Sequence, residues 1–166
     1  MVERKQMVFI IMGVSGTGKS TIGKLLSLKL NIPFFDGDDF HPEANIKKMA
    51  SGKPLDDEDR YDWLVALNQL AQEHKSRGAV IACSALKSSY REILKNDMGS
   101  SLKFVYLEGS FELVKSRLEK RKAHFMPIDL LKSQFETLEP PTDAIKVSIA
   151  LSPEKIVEFI TNPAES

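Results

Sequence analysis

Short apolar runs alternate with longer amphipathic stretches along most of the chain. The strand-like runs are residues 7–12, 33–36, 79–83, 102–107 and 145–150. The stretches with helix-like spacing are residues 19–30, 57–77, 87–97, 110–121 and 153–161. In 57–77 the apolar residues recur at steps of three and four, which indicates a helix with one face toward the core. Strands that alternate with helices build βαβ units, so the pattern predicts an α/β fold with a parallel sheet and helices on both faces.

A glycine-rich segment joins the first predicted strand to the first predicted helix. Residues 13–20 read Gly-Val-Ser-Gly-Thr-Gly-Lys-Ser and match the phosphate-binding pattern G-x-x-x-x-G-K-[ST] at every position. Backbone N–H groups of such a loop, together with the positive end of the helix dipole, bind phosphate oxygens. We expect Lys19 to reach the β- and γ-phosphates of a nucleoside triphosphate and Ser20 to bind Mg²⁺. The remaining nucleotide-binding candidates are Gly13, Val14, Ser15, Gly16, Thr17, Gly18 and Thr21.

Composition narrows the class of protein. The 166 residues fit one domain, taken as 1–166, with 23 basic and 23 acidic side chains and hence no global field that favours nucleic acid or an anionic membrane. No stretch approaches the roughly 18 apolar residues that a membrane span needs. The single cysteine, Cys83, excludes an internal disulfide framework and fits a reducing compartment, so we expect a cytoplasmic protein.

Two segments interrupt the alternation. Residues 37–58 are polar and lead into no third strand, and residues 120–142 follow a basic helix. Small P-loop kinases carry their substrate-binding and lid segments at these positions. We therefore interpret about 37–60 as a substrate-binding segment and about 120–142 as a mobile lid.

Acidic side chains lie where the second predicted strand ends. Asp36 and Asp38 should project at the carboxyl edge of the sheet, where ligands gather. Phosphoryl transfer to an alcohol needs one carboxylate near the metal and another near the acceptor hydroxyl, and which of the two residues has which role stays open. The third predicted strand ends without an acid, at Cys83, which disfavours an ATPase motor or a switch GTPase. Cys83 itself is expected to be buried rather than a nucleophile.

Several cations and one histidine are candidates for anion binding. Arg60 follows a run of acids and either pairs with them or faces a substrate. Lys87 and Arg91 are four residues apart, which would place them on one helix face toward the site. His41, which follows the acidic turn, could hydrogen-bond a polar substrate or be structural.

Two arginines lie near the predicted lid. Arg117 and Arg121 are four residues apart at the end of a helix. Each could clamp a phosphoryl oxygen or stack on adenine, or could merely interact with the helix dipole. We take both as nucleotide-binding candidates and Arg121 also as a catalytic one.

Motifs along nearly the whole chain resemble those of gluconate kinases, within the shikimate-kinase-like and nucleoside-monophosphate-kinase-like P-loop group. The matching stretches are residues 12–20, 36–42, 45–55, 57–60, 63–64, 83–87, 90–91, 109–111, 117–118, 124–127 and 134–140. The phosphate loop is shared by many families, whereas the runs at 41–64, 83–87 and 134–140 are specific.

The resemblance implies a fold, a reaction and a set of site residues. It implies a three-layer α/β/α sandwich with a five-stranded parallel sheet and a mobile lid, and usually a homodimer. It also implies that ATP and Mg²⁺ serve to phosphorylate D-gluconate at its 6-hydroxyl, giving 6-phosphogluconate for the pentose phosphate or Entner–Doudoroff routes. On this basis Arg60, Lys87, Arg91 and His41 are candidates for the gluconate carboxylate, Asp36 and Asp38 for its hydroxyls, and Gln134 for further substrate contact. The catalytic candidates are Lys19, Asp38, Asp36 and Arg121, with the choice of base between Asp36 and Asp38 left open, and the metal-ligand candidates are Ser20 and Asp36.

Two alternatives remain beside a gluconate kinase. A kinase for another acceptor, such as shikimate or a nucleoside monophosphate, would share the phosphate loop and the lid. A nucleobase would favour an apolar, aromatic slot, whereas residues 38–60 are dense in charge. A non-catalytic nucleotide-binding regulator would be expected to lack the carboxylates that Asp36 and Asp38 supply.

Overall fold

The computed structural model describes residues 7–120 and 128–162. Five parallel strands form one sheet in the order β2-β3-β1-β4-β5. The strands are β1 (Val8–Met12), β2 (Phe34–Asp36), β3 (Ala79–Ala82), β4 (Leu102–Glu108) and β5 (Ile145–Ser148). All five predicted strands are confirmed, with ends that shift by a residue or two. Since all five are parallel, their carboxyl ends meet at one edge of the sheet.

Helices connect the strands. They are α1 (Lys19–Leu30), α2 (Glu43–Ala50), α3 (Asp57–Glu73), α4 (Ser88–Leu94), α5 (Phe111–Lys120), α6 (Ile128–Thr137) and α7 (Pro153–Thr161), with 3₁₀ turns at Gly37–Phe40 and Gly99–Ser101. The predicted bounds of α1 and α7 are confirmed. The predicted stretches for α3 and α4 are too long at their C-terminal ends, since the helices end at Glu73 and Leu94, with His74 and Lys95 as their C-caps. The segments interpreted as substrate-binding and lid segments contain α2 and α6, which the pattern did not predict.

The acidic run before Arg60 has a local structural cause. Asp56 caps α3, because its Oδ1 accepts a hydrogen bond from the backbone N–H of Asp59 at 2.8 Å. Asp59 returns the contact, with Oδ2 accepting from the N–H of Asp56 at 3.0 Å. Acidic residues in this first turn also complement the helix dipole. The capping box therefore fixes where α3 begins and places Arg60 near its N-terminus.

Side chains of β1 alternate between two hydrophobic clusters, one on each face of the sheet. Ile10 belongs to the cluster that α3 and α4 complete, and Ile11 to the cluster completed by α1, α5 and α7. The apolar stripe of α3 is buried as predicted, through Trp63, Leu64, Leu67, Leu70 and Ala71. The three-layer α/β/α architecture is thus confirmed. Within the described residues, no helix combines the length and the apolar character needed to cross a bilayer.

Candidate active site

The phosphate loop joins β1 to α1 at the carboxyl edge of the sheet. Gly16 and Gly18 have φ angles of +86° and +93°, a region that favours glycine, and Gly18 is the N-cap of α1. A Cβ at Gly16 would also press on Val114 and Leu118 of α5. The Thr17 hydroxyl donates to the Val14 carbonyl at 2.8 Å and closes the loop from inside. The glycines and the threonine of the loop therefore contribute directly to its shape.

Lys19 lies within this loop. Its ammonium donates to the carbonyls of Gly13 at 3.1 Å and Val14 at 3.0 Å. Burial lowers the pKa of Lys19, and the carboxylates of Asp38 and Asp36 oppose that shift. The positive charge of Lys19 is thus held between the loop and the two predicted carboxylates.

Asp36 and Asp38 lie in different environments. Asp36 ends β2, with Oδ2 accepting from the Ser20 hydroxyl at 3.1 Å and Oδ1 accepting from the N–H of Asp38 at 3.0 Å. For Asp38 no hydrogen bond or ion pair to its carboxylate is found among residues 7–120 and 128–162. Burial, followed by the charge of Asp36, raises the pKa of Asp38. Ser20 and Asp36 together present the hydroxyl and carboxylate oxygens that Mg²⁺ prefers, so these residues fit such a metal.

The loop after β3 lies beside the phosphate loop. The N–H of Gly13 donates to the carbonyl of Ser84 at 3.2 Å. Ala85 has a φ of +47°, a left-handed conformation that is costly for a residue with a Cβ.

Cys83 is buried, as predicted, and burial raises the pKa of its thiol to about 12. Such a thiol stays protonated at neutral pH and is a poor nucleophile.

A cluster of polar side chains joins the start of α3 to the start of α4. The Tyr90 hydroxyl donates to Asp57, and the Lys87 ammonium donates to the same carboxylate at 3.1 Å. Arg60 donates to the Tyr90 hydroxyl at 3.2 Å, with its guanidinium 5.7 Å from the Tyr90 ring centroid. These hydrogen bonds from Tyr90 and Lys87 hold the pKa of Asp57 below its usual range. Arg60 and Lys87 were predicted site residues, whereas Tyr90 was not.

Arg60 is not neutralised by the acids that precede it. Asp57 is paired with Lys87, and Asp59 with Lys48. Within the part of the chain that the structure describes, no carboxylate lies at ion-pair distance from Arg60. Of the two possibilities left open by the sequence, the geometry therefore favours an arginine available to a substrate anion.

Arg91 is placed differently from the prediction. Lys87 is the N-cap of α4 rather than part of it, so the two cations do not share a helix face. Arg91 is only 8% exposed, and its guanidinium donates to the carbonyls of Ala85 and Glu139, at 2.7 Å each. Glu139 adds two contacts, from its N–H to the Leu86 carbonyl and from the N–H of Ser88 to its carboxylate, both at 2.8 Å. Arg91 thus holds the loop after β3 in place, and its guanidinium does not point to the open edge of the sheet where a substrate would bind.

Two further candidates lie on the other side of the phosphate loop. Arg117 donates to the carbonyl of Ile149 at 2.6 Å, just beyond the end of β5. Gln134, on α6, contacts the phosphate loop itself. Its Oε1 accepts from the N–H of Ser15 at 2.7 Å and its Nε2 donates to the Ser15 hydroxyl at 3.1 Å. Arg121 lies outside the described residues, as do Ala123 to Pro127 of the predicted lid.

His41 is held by two residues that the sequence analysis did not single out. Its ring stacks on Trp63 with centroids 4.2 Å apart, and its Nδ1 lies 3.3 Å from the amide nitrogen of Asn45. The Trp63 indole N–H donates to the carbonyl of Gly37 at 2.7 Å, between the two carboxylates of the acidic turn. The four-residue spacing of His41 and Asn45 could have indicated their contact, but only if a helix had been predicted there.

Known proteins resemble this chain both in sequence and in structure. The family model described as shikimate kinase matches residues 15–140. A probable gluconokinase of Xenopus tropicalis is 42% identical over 96% of this chain and 92% of its own length. The thermoresistant gluconokinase of Escherichia coli K12 is 44% identical over 90% of this chain and 89% of its own.

A solved structure agrees with these relatives. A gluconokinase from Sinorhizobium meliloti 1021 superposes with a TM-score of 0.84 and 41% identity, covering 94% of this chain and 90% of that one. The sheet order, the phosphate loop and these similarities lead to one assignment. The chain belongs to the shikimate kinase family of P-loop kinases and groups there with the gluconokinases.

Proposed function

We propose that this protein transfers the γ-phosphate of ATP to the 6-hydroxyl of D-gluconate, giving 6-phosphogluconate and ADP. One observation carries the proposal. Lys19 of the phosphate loop and the carboxylate of Asp38 lie at the same edge of the sheet, and no described residue forms a hydrogen bond with that carboxylate. Membership in the gluconokinases supports the choice of acceptor.

For the nucleotide, we propose that the loop from Gly13 to Thr21 binds the phosphates through its N–H groups and the N-terminus of α1. Lys19 would leave its carbonyl partners and stabilise the charge that develops on the transferred group. Arg117, held beyond β5, would lie beside the adenine, and Arg121 would complete the nucleotide site. Ser20 and Asp36 would hold Mg²⁺, which when bound neutralises charge on the β- and γ-phosphates.

For the chemical step, we propose Asp38 as the group that accepts the proton. Both oxygens of Asp36 already accept hydrogen bonds, from Ser20 and from the N–H of Asp38, whereas the carboxylate of Asp38 has no such partner among the described residues. The 6-hydroxyl oxygen attacks the γ-phosphorus while its proton passes to Asp38. The bond from the γ-phosphorus to the bridging oxygen breaks, and ADP leaves.

For the acceptor carboxylate, we propose Arg60 and Lys87, assisted by His41. Both cations lie against the Tyr90 ring, at 5.7 Å and 5.5 Å from its centroid. Lys87 would exchange its ion pair with Asp57 for the substrate carboxylate. Arg91 is proposed to position the loop that carries Lys87. We also keep the predicted contact between Gln134 and the substrate. Its two hydrogen bonds to Ser15 place Gln134 beside the phosphate loop, where such a contact would form.

The decisive assay combines the purified protein with ATP, MgCl₂ and a panel of sugar acids and related acceptors, and measures ADP release. Turnover on gluconate is expected. Turnover only on another acid, such as shikimate, would replace the acceptor while leaving a kinase. ATP binding without turnover on any acceptor would favour a nucleotide-binding regulator. In parallel, Arg60→Ala is expected to raise KM for gluconate and leave KM for ATP unchanged.

We further propose one domain, with a substrate-binding segment at about 37–60 and a closing segment at about 120–142, working as a cytoplasmic homodimer. The contact between α6 and Ser15 supports a closing role for the second segment, since it links this segment to the nucleotide site. The dimer is supported by the gluconate-kinase resemblance, and light scattering on the purified protein tests it.

A further inference from the structure

The side-chain amide of Asn45 has a fixed orientation. Asn45 is buried, and its Nδ2 donates to the backbone carbonyl of Asp59 at 2.9 Å. If the amide were reversed, its oxygen would face that carbonyl oxygen, and two acceptors would be in contact. The NH₂ group is therefore the end that faces both Asp59 and His41, and each of its two hydrogens has one acceptor.

This orientation determines the state of the His41 ring. The Nδ1 of His41 lies 3.3 Å from an amide NH₂ that can only donate, so Nδ1 must accept and cannot carry a proton. We infer that Asn45 is a positioning residue that fixes His41 as the neutral tautomer with its hydrogen on Nε2, and that this N–H donates to an oxygen of the acceptor substrate. The inference rests on the proposed function for the identity of that acceptor.

The surroundings of the ring agree with a neutral donor. Burial lowers the pKa of His41, the charge of Asp38 raises it and that of Arg60 lowers it, with a net downward shift. A hydrogen bond from Asn45 to Nδ1 acts in the same direction, because only the neutral ring can accept it. Stacking on Trp63 holds the ring plane. No partner for Nε2 is found within residues 7–120 and 128–162, so its N–H remains for a ligand.

The position of His41 suits the acceptor rather than the nucleotide. Through Trp63, on which it stacks, the ring is linked to the acidic turn at Gly37. Through Asn45 it is linked to Asp59, the residue before Arg60 in α3. A polyol carboxylate that reaches from Asp38 to Arg60 would pass this ring. A neutral imidazole would give it one directed hydrogen bond without adding a further charge.

The tautomer can be measured directly by ¹⁵N NMR of the imidazole nitrogens in the wild-type protein. His74 is an internal reference of the opposite kind, because its Nδ1 lies 3.0 Å from the Leu70 carbonyl and must donate to it. His41→Gln and His74→Gln assign the signals. We expect hydrogen on Nε2 in His41 and on Nδ1 in His74. Hydrogen on Nδ1 of His41, or an equal mixture, would overturn the inference.

Two sets of variants test the role in binding. In Asn45→Asp the carboxylate can accept from Nδ1–H, so the His41 signals should change to that form. A carboxylate oxygen would also face the Asp59 carbonyl, and a urea titration measures that separate cost in stability. The kcat/KM for gluconate should then fall by about tenfold or more, as for a lost hydrogen bond, while KM for ATP stays unchanged. In His41→Gln the amide nitrogen replaces Nε2, whereas in His41→Asn it replaces Nδ1. We expect His41→Gln to retain clearly more gluconate affinity than His41→Asn.

The outcomes separate this inference from the proposed function. Equal loss in His41→Gln and His41→Asn would overturn the donor role. Wild-type protein that turns over no gluconate would refute the proposed function, and the ¹⁵N spectrum, recorded without any substrate, would still decide whether Asn45 fixes the tautomer. His74→Gln is the matched control and should leave KM for gluconate unchanged.

Discussion

Single residues of the same type have different chemistry here because their partners differ. Asp36 is tied to Ser20 and to the backbone of Asp38, whereas the carboxylate of Asp38 has no such tie among the described residues. Arg60 donates to a hydroxyl at an open edge, whereas Arg91 is buried against two carbonyls. Residue type and spacing alone did not separate these pairs. The hydrogen-bond partners do, and they lead to distinct expectations for each residue.

Ser20 can be tested as a metal ligand through its hydroxyl. Ser20→Ala removes an oxygen that the metal would need, so kcat should fall by about a hundredfold and the Mg²⁺ concentration for half-maximal rate should rise. Ser20→Thr keeps the hydroxyl, which the phosphate-loop pattern allows, and should retain most activity. A Mg²⁺ titration of initial rates measures both. An unchanged Mg²⁺ dependence in Ser20→Ala would mean that the metal is held elsewhere.

Gly37 separates the two carboxylate-bearing residues and has no room for a side chain. A Cβ there would press on the carbonyl oxygen of Ala82, which is backbone and cannot yield easily. Gly37→Ala should therefore shift the acidic turn, lower kcat by more than about tenfold and reduce the free energy of unfolding by about 1–3 kcal/mol. Enzyme assays and urea titration measure these effects.

The control for that variant is Gly99→Ala. A Cβ at Gly99 meets nothing within 4 Å, although its φ is +53°. Only the backbone cost of about 1–2 kcal/mol is expected there, with kcat unchanged. If both alanine variants lost activity equally, the close approach at Gly37 would not be the reason.

At the scale of elements, the loop after β3 is clamped by the chain that follows α6. Arg91 bonds the carbonyls of Ala85 and Glu139, and the N–H of Glu139 returns to Leu86. This clamp stabilises the left-handed conformation of Ala85 and so sets the path of the chain into Lys87. The connection from α6 to β5 and the acceptor side of the site are thereby one structural unit.

Arg91→Lys tests the clamp while keeping the charge. A lysine ammonium cannot span both carbonyls as the planar guanidinium does, so one buried carbonyl would lose its partner. We expect a loss of about 1–3 kcal/mol in the free energy of unfolding and a higher KM for gluconate. Urea denaturation and steady-state kinetics measure the two. Lys95→Ala, which breaks an exposed pair between the C-cap of α4 and Glu92 within that helix, is the control and should change neither. A direct substrate role for Arg91 would instead lower activity with no loss of stability.

Elements with their own sequence signal could be predicted, and those held by distant contacts could not. The bounds of α1 followed from the phosphate loop, and the strands from their apolar runs. Short, polar α2 carries little apolar periodicity, and the His41–Asn45 contact that marks it depends on Asp59 in α3. The partners of Arg91 include a carbonyl 48 residues away, which no local spacing reveals. Site residues at strand ends were therefore within reach of the sequence, but their orienting partners were not.

At the scale of the whole molecule, the site rests directly on one of the two cores. Leu67 is fully buried in the cluster between the sheet and α3, and its Cδ1 lies 3.4 Å from the place that a Gly37 Cβ would take. Trp63, the only tryptophan, lies in the same cluster while its indole N–H bonds the acidic turn. Folding of the core and formation of the turn should therefore be coupled.

Leu67→Ala tests this coupling together with the proposal of a single domain. The cavity should cost about 2–5 kcal/mol of unfolding free energy, since a fully buried leucine is truncated. In wild type and variant alike, Trp63 fluorescence and far-UV circular dichroism should give coincident urea transitions, because one cooperative unit contains both clusters. Leu28→Ala, at a side chain that is 78% exposed, is the matched control and should shift the midpoint little. Separate transitions for fluorescence and dichroism would show that the acidic turn and α3 unfold apart from the rest, and would contradict a single domain.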